Sequence, residues 1–275
     1  MNISYYQDDN TGSVVRFNGV SDFEIYRHEN KHWELLPPEN SYMREVFIGQ
    51  SNNCLTPITQ EAAAEIINRD AEQHRRLLRK KKLIESFEQT QRRIAHDAKI
   101  AAATEQAIQN TVLYENWSVS HTPKSEHQKN SVISIEVVED TTFSAAQKLK
   151  AEYEKVTVLN FASPVNPGGG VTIGAMAQEE CLCRSSNLYP CLTKPELFKP
   201  YYQFHRNQGD CYYSDKIIYS KDVLVFQSDD DIPQHMNQSS WFQVDVITCA
   251  APNMRGISYI NYLKVLLIYY LMRPY

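Results

Sequence analysis

The 275-residue chain is short of glycine, with nine, and of tryptophan, with three. Its formal net charge of −5 gives no long-range attraction toward nucleic acid or an anionic membrane, so any polyanion has to be held by local features. The six cysteines (Cys54, Cys181, Cys183, Cys191, Cys211 and Cys249) lack the regular spacing of a small disulfide scaffold. Cys181-Leu-Cys183 has no second pair at zinc-finger distance, so neither a metal nor a cofactor is expected, and reduced intracellular thiols are the default. Residues 1–20 are polar and carry no apolar signal core, which makes a cytoplasmic setting the expectation. Neither G-x-x-x-x-G-K-[ST] nor a dinucleotide G-x-G-x-x-G occurs, which removes the two commonest nucleotide-binding loops. Length and an ordinary apolar content of 42% leave one large or two small globular domains.

The organisation is uneven along the chain. Short alternating runs at 14–17, 23–26, 33–36 and 45–48 predict a small β-rich N-terminal extension over residues 1–55. Thr56-Pro57 reads as a helix start, with a hydroxyl cap and proline at the first helical position. Between Ile58 and Thr122 there is neither glycine nor proline, and one or two long helices follow. The basic run 75–82 lies within them; it could contact nucleic acid or an ADP-ribose polymer, but with no interleaved aromatic residue and frequent acidic neighbours it reads as a solvated helical face. From 132 onward the pattern alternates. Strands are expected at 132–138, 156–161 (buried), 216–219, 223–226 and 244–249, with helices at 143–153 and 177–186. Residues 56–275 thus predict an α/β domain, its sheet covered on both faces.

Three of the nine glycines are consecutive: Gly168, Gly169 and Gly170 follow the apolar run 156–161. Three residues without Cβ allow positive φ and a close approach of backbone to ligand. Successive amides of such a turn can form an anion-binding concavity, which makes the loop a candidate phosphate cradle. Seven residues separate Gly170 from Gln178-Glu179-Glu180, which places carboxylates near whatever the loop holds. A Gly-rich loop alone is often only a tight turn, and a Glu pair alone is usually helix surface. Together, P-G-G-G-x7-Q-E-E behind a strand is far more restrictive. Asn160, at the strand's end, could orient a ribose, while Asn166 is at least as good a turn former as a ligand.

The stretches LNFASPVNPGGG (159–170) and AQEECLCRSSNLYPCL (177–192) resemble the signature of the microbial-type poly(ADP-ribose) glycohydrolases. Weaker agreement at 134–149, 222–226 and 246–253 extends the likeness over roughly 90–255. The resemblance implies a three-layer α/β/α macrodomain-like mixed sheet and hydrolysis of ribose–ribose O-glycosidic bonds in poly(ADP-ribose) on modified proteins. It implies Glu180 as general acid, with the charge of Glu179 raising its proton affinity and Glu179 itself accepting ribose hydroxyls. Asn160, Asn166, Gly168, Gly169, Gly170, Val171 and Gln178 become substrate-binding positions, with Gly168–Gly170 on the diphosphate. A monomer without direct nucleic-acid or membrane partners is the accompanying expectation. The family continues past A-A-P-N through a second glycine-rich segment and a last strand, whereas here 257–275 reads as a core helix with neither after it. A non-catalytic ADP-ribose-binding module, or an inactive remnant, is therefore the second reading.

Overall fold

The computed structural model describes residues 3–18, 22–27, 31–36, 55–115, 134–208 and 213–250. The expected strand at 45–48 and the expected helix at 257–275 lie outside these residues. Two compact units divide at Met1–Lys80 and Lys81–Tyr275.

The first unit contains an antiparallel sheet built from β1 (Ser4–Asp8), β2 (Val14–Phe17), β3 (Phe23–Arg27), β4 (His32–Leu35) and β5 (Leu55–Ile58), in the order β4-β3-β2-β1-β5. Val15, Phe17, Phe23 and Ile25 form its core, and the Phe17 and Phe23 rings stack at 4.7 Å. Two of these strands escaped the sequence pattern. β1 is polar, and β5 holds the Thr56-Pro57 pair expected to open a helix. Pro57 is tolerated there because β5 pairs only with β1 among the described residues, leaving an edge where a missing N–H costs nothing. The helix starts three residues later: Thr59 Oγ1 accepts the Ala62 N–H at 3.1 Å.

That helix, α1 (Gln60–His96), runs without a break for 37 residues. Asp97 ends it and caps α2 (Ala98–Gln109), its carboxylate accepting the N–H groups of Lys99 (2.9 Å) and Ile100 (3.1 Å). The expectation of two long helices therefore holds, with the boundary set by one aspartate.

The second unit is a mixed α/β layer structure. β6 (Val112–Tyr114), β7 (Thr157–Ala162), β8 (Ile217–Val225) and β9 (Phe242–Ala250) form a sheet in the order β6-β8-β9-β7, with β7 parallel to β9 and the other pairs antiparallel. One face carries Val158, Asn160, Ala162, Val246, Thr248 and Ile218, all buried. Against it pack Phe143 of α3 (Thr142–Lys150), Leu182 and Cys183 of α4 (Gln178–Ser185), and Leu188, Cys191 and Leu192 of α5 (Leu188–Leu192). Beyond α5 come α6 (Pro195–Leu197), a π turn (Phe198–Gln203) and α7 (Phe204–Gln208).

Three expectations are corrected here. Residues 134–138 make no strand: they are irregular and exposed, Val137 at 94%, because a β-branched run without a pairing partner has no ladder to join. The two strands expected at 216–219 and 223–226 are one. β8 passes through a bulge between Ser220 and Val223, with Asp222 at φ 58°, and the polar Ser-Lys-Asp that looked like a turn is that bulge. Finally, β7 is not buried on both faces. Among the described residues it pairs only with β9, and Leu159 and Phe161 on its other face are 40% and 57% exposed.

Candidate active site

The glycine loop leaves the end of β7 and leads through a 3₁₀ turn (Val171–Ile173) to the N-terminus of α4. Gly168 and Gly169 adopt φ of 67° and 60°, the left-handed region that residues with a Cβ avoid. Close approach is the second reason for glycine. A Cβ on Gly168 would sit 2.6 Å from the Tyr189 ring, and one on Gly169 would sit 2.3 Å from Glu180 Oε1 and 3.0 Å from Glu179 Oε2. Three residues without side chains thus let both carboxylates reach the loop.

Glu180 occupies the third position of α4 and bridges the two ends of the loop. Its Oε2 accepts the Ala177 N–H at 2.9 Å, the returning half of a capping box. Its Oε1 accepts the Gly170 N–H at 2.7 Å. The Gly169 N–H donates to Asn166 O and the Val171 N–H to Gly168 O. The expected cradle of free, convergent amides is therefore not what this loop presents: its N–H groups close the turn and hold a carboxylate.

Glu179 points back into the protein. Its Oε2 accepts the Ser163 N–H at 2.8 Å, and the Asn160 side chain and the Gly168 N–H also approach the carboxyl group as donors. Burial pushes its carboxyl up to about 8, outweighing the hydrogen bond from Ser163, with the adjacent Glu180 adding to the rise. Burial thus favours the protonated form of Glu179 and weakens the negative charge that was expected to act on Glu180.

An open cavity of about 530 Å³ lies over the loop, lined by Ser163, Asn166, Gly169, Gly170, Glu180 and Tyr189 among others. Of the residues singled out in the sequence, Asn166, Gly169, Gly170 and Glu180 meet here. The rest do not line it. Asn160 is wholly buried on the inner face of β7, its amide donating to Thr248 Oγ1 at 3.2 Å and its Oδ1 unpaired. Val171 is a core residue with no exposed surface.

Gln178 also has a different task. Its Oε1 accepts the Phe161 N–H (2.8 Å), and its Nε2 donates to Leu159 O (2.9 Å) and Thr142 Oγ1 (2.9 Å). The side chain imitates a strand neighbour on the open edge of β7 and ties the starts of α3 and α4 to it. Every hydrogen-bonding direction it uses is internal.

Three contributors escaped the sequence reading. Ser163 supplies the amide for Glu179. Tyr189, where the sequence favours helix packing over nucleotide contact, lines the cavity and meets Phe87 edge-on at 4.9 Å. Arg206, forty residues beyond the loop, donates to Val165 O (2.8 Å) and Asn166 Oδ1 (3.1 Å) and so braces the turn. An isolated arginine at that separation carries no motif that could have flagged it. The four described cysteines are free thiols, and burial raises each of them, Cys191 to about 11, which disfavours a thiolate nucleophile. Among the described residues no cluster of His, Cys, Asp or Glu could hold a metal, and no helix is long and apolar enough to cross a membrane.

The family model of the microbial-type PARG catalytic domain matches residues 58–228, so the match takes in α1 and begins well before residue 90. The structure is similar to crystal structures of the poly(ADP-ribose) glycohydrolase from Thermomonospora curvata. The first shares 33% sequence identity, covers 68% of each chain and superposes with a TM-score of 0.56. The form bound to the inhibitor ADP-HPD gives 0.54, and a glutamate-to-alanine variant gives 0.53, at the same identity and coverage. A search of curated protein sequences gives no match. Family model and structural likeness agree with the glycine loop and the Gln-Glu-Glu helix, and the chain belongs to the microbial-type poly(ADP-ribose) glycohydrolase family.

Proposed function

We propose that the chain is a glycosidase that hydrolyses the ribose–ribose O-glycosidic bonds of poly(ADP-ribose) and releases ADP-ribose. One observation carries the reading: Glu180, anchored by two backbone N–H groups, is the carboxyl group of the Gln-Glu-Glu segment that lines the open cavity over the glycine loop. Its orientation is fixed before substrate arrives, so binding does not have to order it. Glu180 protonates the departing ribose oxygen as the anomeric C–O bond breaks. It then takes a proton from the water that attacks the oxocarbenium-like sugar. Glu179, buried behind the loop with its protonated form favoured by that burial, holds the loop from within instead of adding a second charge to the cavity.

The distal ribose enters the cavity over Gly169 and Gly170, which Glu180 lines with them. Tyr189 and Asn166 flank it. Gln178, Asn160 and Val171 act from behind as positioning residues, not as substrate ligands. We take the unit as macrodomain-like and the protein as an intracellular monomer acting on ADP-ribosylated proteins, in keeping with its free thiols.

The test is incubation of the purified chain with poly(ADP-ribose), the products being separated by chromatography. Time-dependent release of monomeric ADP-ribose is expected. Tight ADP-ribose binding with no release would select the non-catalytic binding module.

A further inference from the structure

The helix α1 carries a feature that the hydrolytic reading leaves unused. Between Glu72 and Lys82 every residue except His74 is exposed. Of the fourteen residues 69–82, seven are lysine or arginine and two are acids, in a chain of net charge −5. At about 100° per residue, Arg69, Arg75, Arg76, Arg79, Lys80 and Lys82 fall within an arc of about 160°, a stripe about 20 Å long. Glu72 is the one acid inside that arc, and Arg76 pairs with it one turn on. Asp70 lies outside, where Arg69 reaches it at 3.5 Å. Six of the seven cations thus gather on one side of the helix, with Glu72 the one acid interleaved among them at four-residue spacing.

We propose that this stripe of α1 is a docking surface for the distal part of a poly(ADP-ribose) chain, whose repeating diphosphates match a row of cations. The inference rests on the hydrolytic reading for the identity of the polymer. Four of the arc's six residues are arginines, and a guanidinium pairs a phosphate with two parallel N–H donors. No aromatic side chain lies in the arc, and Leu77 and Leu78 fall outside it. The stripe therefore lacks the stacking platform with which single-stranded nucleic-acid sites hold bases. What it recognises is phosphate charge at intervals. Holding the polymer on the chain that cuts it raises the effective concentration of the next bond to be cleaved.

The experiment compares the protein with a variant combining Arg75→Gln, Arg79→Gln, Lys80→Gln and Lys82→Gln. Glutamine keeps helix propensity, and circular dichroism checks that helicity is retained. Both proteins also carry Glu180→Gln to prevent cleavage. Anisotropy measures affinity for end-labelled long poly(ADP-ribose) and for single-stranded RNA of equal charge, and calorimetry measures affinity for monomeric ADP-ribose. The expected result is at least a ~10-fold loss for the long polymer at low salt, with the salt slope falling by about one per cation removed. Monomer affinity stays unchanged. Equal polymer affinity in both proteins overturns the proposal, as does RNA binding that matches the polymer and is lost in parallel. Long-polymer binding through the stripe, in a chain whose wild type never releases ADP-ribose, would sink the hydrolytic reading and leave this one standing. Turnover with unchanged polymer affinity would do the reverse.

Discussion

Replacing Gly169 by alanine adds one methyl group where the structure has least room for it. The residue sits at φ 60°, so a Cβ alone costs about 1–2 kcal/mol of backbone strain. The methyl carbon would also stand 2.3 Å from Glu180 Oε1, where ordinary contact begins near 3.4 Å. The oxygen must retreat by roughly 1 Å, which breaks its 2.7 Å bond from the Gly170 N–H. Losing that hydrogen bond and leaving its donor unsatisfied costs about 1–3 kcal/mol, so the variant should be destabilised by ~2–5 kcal/mol. Most domains of this size survive such a loss, since their stability is about 5–15 kcal/mol.

Activity should suffer more than folding, because a displacement of about 1 Å at a catalytic group can cost on the order of 100-fold in rate. ADP-ribose release and urea unfolding are measured side by side. Gly12→Ala is the control: Gly12 has φ 73° with nothing within 4 Å of its would-be Cβ, so strain of about 1 kcal/mol should appear with full turnover. A Gly169→Ala protein that turns over within twofold of wild type would refute the argument that this glycine exists to admit Glu180.

Other outcomes follow from the same contacts. Gln178→Ala removes the side chain bonded to Phe161, Leu159 and Thr142, so it should lower stability by about 2–3 kcal/mol in denaturant melts. Because that side chain does not line the cavity over the glycine loop, ADP-ribose affinity by calorimetry should move less than twofold; a tenfold loss would return it to the ligand set. Glu179, raised from 4.5 to about 8 by burial, binds a proton in the folded state that the unfolded state has already released. The stability it contributes is full below about pH 4.5 and is lost as pH rises through about 8. Glu179→Gln should flatten that decline, leaving the variant more stable than wild type by on the order of a few kcal/mol at pH 9; parallel stability–pH curves would contradict it. Asp97→Ala should cost about 1 kcal/mol through the cap of α2 and leave turnover unchanged.

How much of this was legible in the sequence depends on the range of the interaction. The strand, the glycine loop and the helix opening at Gln178 are local features with local signals, and they lie where the spacing put them. The role of each side chain was less visible. Glycines free to bind phosphate and glycines that make way for a carboxylate look identical in one dimension; the difference is that Glu180 returns to Gly170 and Ala177. Gln178 is a substrate-binding position by family resemblance, yet its amide completes the edge of a strand nineteen residues earlier. Thr56-Pro57 has the composition of a helix start but pairs with β1, a contact 50 residues away in sequence that no propensity encodes. The polar bulge in β8 and the unpaired run 134–138 failed for the matching reason, since strand identity is decided by partners.

The account stands or falls on Glu180. Glu180→Gln retains one acceptor oxygen but turns an amide NH₂ toward one of the two backbone N–H groups, at Gly170 or Ala177, so some loss of stability is expected. The decisive quantity is the rate of ADP-ribose release from poly(ADP-ribose) at saturating substrate, measured for wild type, Glu180→Gln and Glu179→Gln under conditions where all three are folded. General acid–base catalysis contributes about 10²–10⁴-fold, so Glu180→Gln should fall by at least ~100-fold while Glu179→Gln loses less. Equal rates for wild type and Glu180→Gln would contradict the assignment outright.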